Sequence, residues 1–265
     1  MFKTINKFII ITIAALAISM PVMADSNSTK ADDIQDMSDP LAVFTQAGFG
    51  FTNKGINLKA AQAYDTGDAN TIAMNAFEVK GIGGDIIGWD GDSATSDAVD
   101  SLRFRNFGVN LTNGRGAQVD ISYDLNTEAG SMSYSILQAL PALGSFNFYP
   151  LAGAGAAFAN NALQDDGTTA SGFSVPGVFA IMGMYTKYAV TEKIWVNYNP
   201  MWSVSLAGSD NFKDYGFEGD SSVFAHEFVL SYQVNPRSNV RYFANWTENT
   251  DVIDGDHRIE YNYQF

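Results

Sequence analysis

The segment His257-Arg258-Ile259-Glu260-Tyr261-Asn262-Tyr263-Gln264-Phe265 decides the fold. In an extended chain successive side chains point to opposite faces, so His257, Ile259, Tyr261, Tyr263 and Phe265 lie on one side and Arg258, Glu260, Asn262 and Gln264 on the other. One face is apolar and aromatic; the other is wholly polar. In a water-soluble sandwich the apolar face turns to a core, whereas in a membrane-spanning barrel it turns outward to lipid and the polar face lines a lumen. Alternation alone does not choose between the two.

The same period recurs upstream. Ala117, Val119, Ile121, Tyr123 and Leu125 stand opposite Gln118, Asp120, Ser122, Asp124 and Asn126; Ile194, Val196, Tyr198, Trp202, Val204 and Leu206 stand opposite Asn197, Asn199, Ser203 and Ser205. Phe224, Phe228, Leu230 and Tyr232, then Val240, Tyr242, Ala244 and Trp246, give two more strands across the tight turn Asn235-Pro236-Arg237-Ser238. The pattern predicts strands near 42–52, 55–65, 71–80, 100–111, 117–126, 131–140, 144–158, 173–189, 193–207, 222–234, 239–248 and 257–265. That makes twelve, with ten as the alternative because Gly81, Gly83 and Gly84 interrupt the early pattern. Pro150, Pro176 and Pro200 fall inside these strands and predict bulges or irregular ends, since proline donates nothing to a ladder.

At the other end, Lys3 and Lys7 precede an apolar run from Phe8 to Ser19, and Val22-Met23-Ala24 offers compact residues at the −3 and −1 positions of a cleavage site. Residues 1–24 therefore read as an export leader, too short in its apolar part for the roughly 20 residues of a spanning helix. Residues 25–40, with Asp32, Asp33, Asp36 and Asp39, read as a flexible N-terminal segment, and residues 41–265 as one barrel domain. Without the leader the chain keeps 13 basic residues against 29 acidic ones, a net charge of −16, which argues against nucleic acid as a partner. The chain has no cysteine, so disulfides and thiol nucleophiles are excluded.

Tyr261-Asn262-Tyr263-Gln264-Phe265 resembles the terminal strand of Gram-negative outer-membrane β-barrel proteins, the porin-like superfamily, with aromatics alternating up to a final Phe. The resemblance implies an all-β fold, a transmembrane antiparallel up-and-down barrel in the outer membrane, with both termini on the periplasmic side. It also implies that Tyr261, Tyr263 and Phe265 form the signal read by the barrel-assembly machinery. Outer-membrane lipid and lipopolysaccharide become the surroundings. With that orientation the short connections 113–116, 141–144, 191–193 and 235–238 are periplasmic, and the longer ones at 81–99, 159–172, 208–221 and 249–256 are external.

The external connections are acidic. Asp90 and Asp92, then Asp210, Asp214, Glu218 and Asp220, then Asp254 and Asp256, form a negative mouth in which only Lys213 opposes them. Such a rim concentrates cations by focusing the field; it serves equally for solubility and for divalent-ion bridging to lipid phosphates. Asp90-Gly91-Asp92 lacks the third ligand and the glycine of a calcium loop, so no metal or cofactor is expected.

Within the barrel, Asp120, Asp124, Glu227, Arg241, Arg258 and Glu260 are the expected lumen-lining charges, with Arg105 across from Asp124 and Thr247 between Glu227 and Arg258. They either orient solutes in a water-filled lumen or plug it with salt bridges. Neither His226 nor His257 has the neighbouring Ser of an outer-membrane lipase or the Asp-x-His of an omptin-type protease, so no enzyme is expected. The leading expectation is a small passive channel for hydrophilic solutes with cation preference. The alternatives are a closed surface-interaction barrel for adhesion or phage attachment, and, third, an outer-membrane hydrolase.

Overall fold

The computed structural model describes residues 34–88 and 99–265. The leader assigned to residues 1–24 and the acidic Asp90 and Asp92 lie outside the described residues.

The alternating segments form β1 (Gln46–Thr52), β2 (Gly55–Asp65), β3 (Thr71–Ile82), β4 (Ser101–Asn110), β5 (Arg115–Asp124) and β6 (Ala129–Gln138). They continue as β7 (Phe146–Asn160), β8 (Phe173–Ala189), β9 (Ile194–Tyr198), β10 (Met201–Gly208), β11 (Ser222–Asn235), β12 (Ser238–Thr247) and β13 (Asp256–Gln264). Two short helices, α1 (Gly84–Ile87) and α2 (Asp210–Tyr215), sit in connections. Strands pair antiparallel in order, and β13 returns to β1 with Gln46 opposite Gln264 and Thr52 opposite Arg258. β9 and β10 share one place in the wall, since β8 and β11 each pair with both. The result is a closed barrel of twelve wall strands.

The three prolines behave differently. Pro200, with Asn199, separates β9 from β10; Pro176 lies beside the register shift between Ala157 and Ala159. Pro150 causes no bulge: it pairs with Met184 in unbroken register, one residue beyond the last β6 partner, Leu137 opposite Leu151.

Burial decides between sandwich and membrane barrel. Ile259, Phe49, Leu58, Phe77 and Tyr134 are exposed on the outer face, Ile259 by 54%, while the inward Asn262 and Gln264 are each 1% exposed. A protein whose apolar side chains face out and whose polar ones face in is built for lipid, because the antiparallel ladders close on themselves and only the outer surface meets hydrocarbon. Both histidines join outer-face aromatic clusters: His226 stacks on Trp246 at 4.9 Å, and His257 accepts or donates a bond with the Tyr242 hydroxyl at 2.8 Å.

Connections sort by end. The end carrying the tight links after β2, β4, β6, β8/β9 and β11, here the turn end, also holds the start of β1 and the end of β13. The long connections after β3, β7, β10 and β12 crowd the opposite, loop end.

Candidate functional site: the lumen and the strap across it

Inward-facing side chains on β2–β5 and β11–β13 carry the lumen's charges. Lys59 Nζ lies 2.6 Å from Glu260 Oε1, and Arg258 Nε lies 3.2 Å from the other oxygen of the same carboxylate. Glu78 likewise serves two cations, Arg105 and Lys80, the latter at 3.3 Å. Asp120 accepts from Nε of Arg103 at 2.8 Å and from its Nη2, a two-point contact that fixes the guanidinium plane. Glu227 accepts from Asn199 Nδ2 at 2.7 Å. Arg241 bonds Ser231 Oγ at 3.2 Å and, with Arg258, stacks over Phe243 at 4.9 Å and 4.0 Å respectively.

Three cavities that share lining residues lie within this arrangement. One of about 210 Å³ lies toward the turn end, one of about 480 Å³ opens among the loops, and one of about 610 Å³ lies against β5–β8. Arg103 borders all three, and Arg105, Tyr185, Asn199 and Glu227 border the first two. Arg103, held by Asp120, is thus the residue common to all three linings.

Five of the six lumen charges expected from sequence, Asp120, Glu227, Arg241, Arg258 and Glu260, border these cavities. Asp124 borders none of these three cavities. It accepts from the backbone N–H groups of Asn126 and Thr127 at 3.0 and 2.7 Å, capping the β5–β6 turn. Arg105 pairs with Glu78 and stands across from Asp120 rather than Asp124, because the hairpin register differs by a few residues from the count through its turn, whereas Glu227, opposite Asn245, borders one cavity with Thr247. Lys59, Glu78, Lys80 and Arg103 were missed. Their signal was present, since each falls on the polar parity of its strand, but it becomes readable only once inside and outside are assigned.

The acidic loop residues are largely engaged. Lys213 pairs with Asp210 at 2.6 Å, Lys54 of the β1–β2 turn pairs with Asp256 at 2.6 Å, and Glu218 accepts from Thr247 Oγ1 at 2.7 Å. Asp165 accepts the backbone N–H of Asn211 at 3.0 Å, tying two connections together. That bond and a second backbone bond from Asp210 hold its carboxyl below the usual range. Asp220 accepts from the Ser221 N–H at 2.6 Å, and Asp254 borders the outer cavity. Lys54 is a second opposing cation that the loop-by-loop reading overlooked.

The largest departure from sequence concerns residues 34–44, of which 34–40 belong to the segment read as flexible. They form a strap across the turn end. Gln35 exchanges two bonds with the Gln264 side chain of β13, at 3.0 and 2.9 Å. Gln233 of β11 donates to Met37 Sδ at 3.5 Å; Lys187 of β8 contacts Asp36 at 3.4 Å and also Ser38; Tyr149 of β7 donates to Asp39 at 3.3 Å. Val43, 1% exposed, then packs with the inward Phe107, Val109, Leu137 and Leu151. The apolar patch inside the wall explains the arrangement: left bare in a wet lumen it would cost about 25 cal/mol per Å², and Val43 and its neighbour Leu41 cover it.

No protein-family model matches the chain, and no curated protein matches it in sequence. Solved structures do match in fold. The COG4313 outer membrane channel from Pseudomonas putida F1 superposes with a TM-score of 0.55 at 9% identity, over 87% of this chain and 99% of that one. The NanC porin gives 0.54 at 9% identity, over 83% of this chain and 100% of that one. The fold is thus that of outer-membrane porins and channels.

Proposed function

We propose that this chain is an outer-membrane channel through which small hydrophilic solutes diffuse passively, its turn end facing the periplasm. The observation that carries the reading is the inverted wall around a polar, charge-lined lumen whose cavities share lining residues. The outer apolar belt supports contact with membrane lipid, and the alternation of Tyr261, Tyr263 and Phe265 on that belt supports recognition by the assembly machinery. No catalytic role is assigned to any residue.

Cation preference is a property of the loops in this reading, not of the wall. The linings of the inner cavities hold Lys59, Lys80, Arg103, Arg105, Arg241 and Arg258 against Asp39, Glu78, Asp120, Glu227 and Glu260, a near balance with one positive charge in excess. The acidic mouth enriches cations only while its field is unscreened, and the Debye length falls from about 30 Å at 0.01 M salt to about 3 Å at 1 M. Reversal potentials in planar bilayers test this. The expected result is cation preference at low salt that vanishes or reverses at 1 M; cation preference unchanged at 1 M would overturn the assignment.

The strap supports a second reading, a closed barrel that presents its loops to a surface partner. Complete absence of conductance, including after strap removal, would favour it.

A further inference from the structure

We propose that the cavity of about 610 Å³ beside β5–β8 is a binding chamber for a small amphipathic carboxylate, a monoanion with an aromatic or branched apolar body. The inference rests on the channel reading only for the ligand's route of entry.

The chamber exists because this sector of the wall is built from small inward residues. Ser122, Ser131, Ser133 and Ala157 stand where other sectors carry Lys, Arg and Glu, and their absent side-chain volume is the space. Its two sides differ in chemistry. Along one side run Phe179 of β8 and Phe212 and Phe217 of the β10–β11 connection, with ring centroids 5.7 Å apart for Phe179 and Phe217 and 5.9 Å for Phe212 and Phe217. This aromatic side is held firmly. Ser209 caps α2 by accepting the Phe212 N–H at 3.1 Å, and the Phe212 ring lies over Gly177, where an added Cβ would stand 2.1 Å from it.

On the other side, Lys80 and Arg103 face the cavity with Asp120, while Glu78, the partner of Lys80, lies outside its lining. Asp120 occupies the Nε and Nη2 edge of Arg103, which leaves the Nη1 hydrogens to donate to a second carboxylate. A hydrated inorganic ion gains nothing from three phenyl rings, and a purely apolar solute displaces water from both cations, already paired with Glu78 and Asp120, without offering either a further acceptor. A carboxylate on an apolar body satisfies both sides, as ligand cavities with one apolar wall and a few convergent polar groups do.

The test is isothermal titration of the purified full chain in non-ionic detergent with benzoate, acetate and benzylamine. Benzoate is expected to bind at least about tenfold more tightly than acetate, and benzylamine not to bind, since ring burial and charge sign each discriminate on that scale. Ser133→Leu fills the chamber and should abolish the benzoate heat; Phe217→Ala, which removes a ring without adding bulk, should weaken it about tenfold. Equal affinity for benzoate and acetate, or full benzoate binding by folded Ser133→Leu protein, would overturn the proposal. Because binding is read without conduction, a protein that conducts but does not distinguish benzoate refutes the chamber alone, and one that binds benzoate without conducting refutes the channel alone.

Discussion

Lys59 of β2 and Glu260 of β13 are joined, Nζ to Oε1 at 2.6 Å, across the intervening strand β1. The contact spans the seam where the first and last strands close the barrel. It is open to both side chains because the residues of β1 that lie beneath it, Gly48 and Gly50, have none. Glu260 also holds Arg258, so one carboxylate neutralises two cations at the closure.

Glu260→Gln should therefore leave two inward cations without their carboxylate. Removing one partner of a dry ion pair costs roughly 3–5 kcal/mol, and lumen water reduces that here to about 2 kcal/mol. The urea midpoint of folded mobility on detergent gels should fall accordingly, and Lys59→Met in the same chain should recover part of the loss. An unchanged midpoint for Glu260→Gln would remove the seam contact from any account of stability.

Gly48→Val should impair folding far more than Ala47→Val, although the two positions adjoin. A Cβ at Gly48 would stand 2.4 Å from Asn262 Oδ1 and 3.0 Å from the Tyr261 carbonyl, whereas Ala47 faces the outer surface. The folded fraction after refolding into detergent measures the difference; equal fractions would contradict it.

The strap should be a removable obstruction. Since the chain has no cysteine, Ser38→Cys with Lys187→Cys introduces the only thiols, and because the native contact runs through the full length of the lysine, a bis-methanethiosulfonate linker of similar length joins them through reducible bonds. Conductance of the linked protein should be low and should rise on reduction, and Val43→Asp, which places a charge in the apolar patch, should raise it without any reductant. Linked and reduced protein with identical conductance would show that ions do not pass the strap's position.

Acid should loosen the strap only at low pH. Burial raises the Asp36 carboxyl, but bonds from the Ser38 hydroxyl and N–H and the charge of Lys187 outweigh it, so the group lies below its ordinary 3.8. A carboxyl depressed in the folded state contributes fully above its ordinary pKa and loses that contribution as pH falls through the folded value. Conductance should be flat from about pH 7 to pH 5 and climb only below 3.8. A step between pH 7 and pH 5 would assign the latch to another group.

Sequence alone carried the wall and little of what fills it. Strands such as 117–126 and 257–265 were legible because each residue's face follows from parity, a local rule. Pairings across strands were not: Arg103 with Asp120, or Lys59 reaching over β1, depend on hairpin register and closure, which a count through a turn misplaces by a few residues. The strap was invisible for a further reason. Asp36, Ser38 and Asp39 look like solvated tail residues, and their partners Lys187 and Tyr149 lie more than 100 positions away. Likewise Asp124 has lumen parity, yet its turn amides claim it first.

The strap meets the wall through side chains, apart from the backbone N–H and carbonyl of Gln35. Among the described contacts none of the ladder hydrogen bonds of β1 is spent on it. Its eleven residues, drawn out straight, reach about 36–40 Å, enough to swing clear of the opening while still joined to β1. Uncorking the barrel is then a tethered displacement, not an unfolding: the stave wall keeps its shape, and the same segment remains at hand to reseat itself.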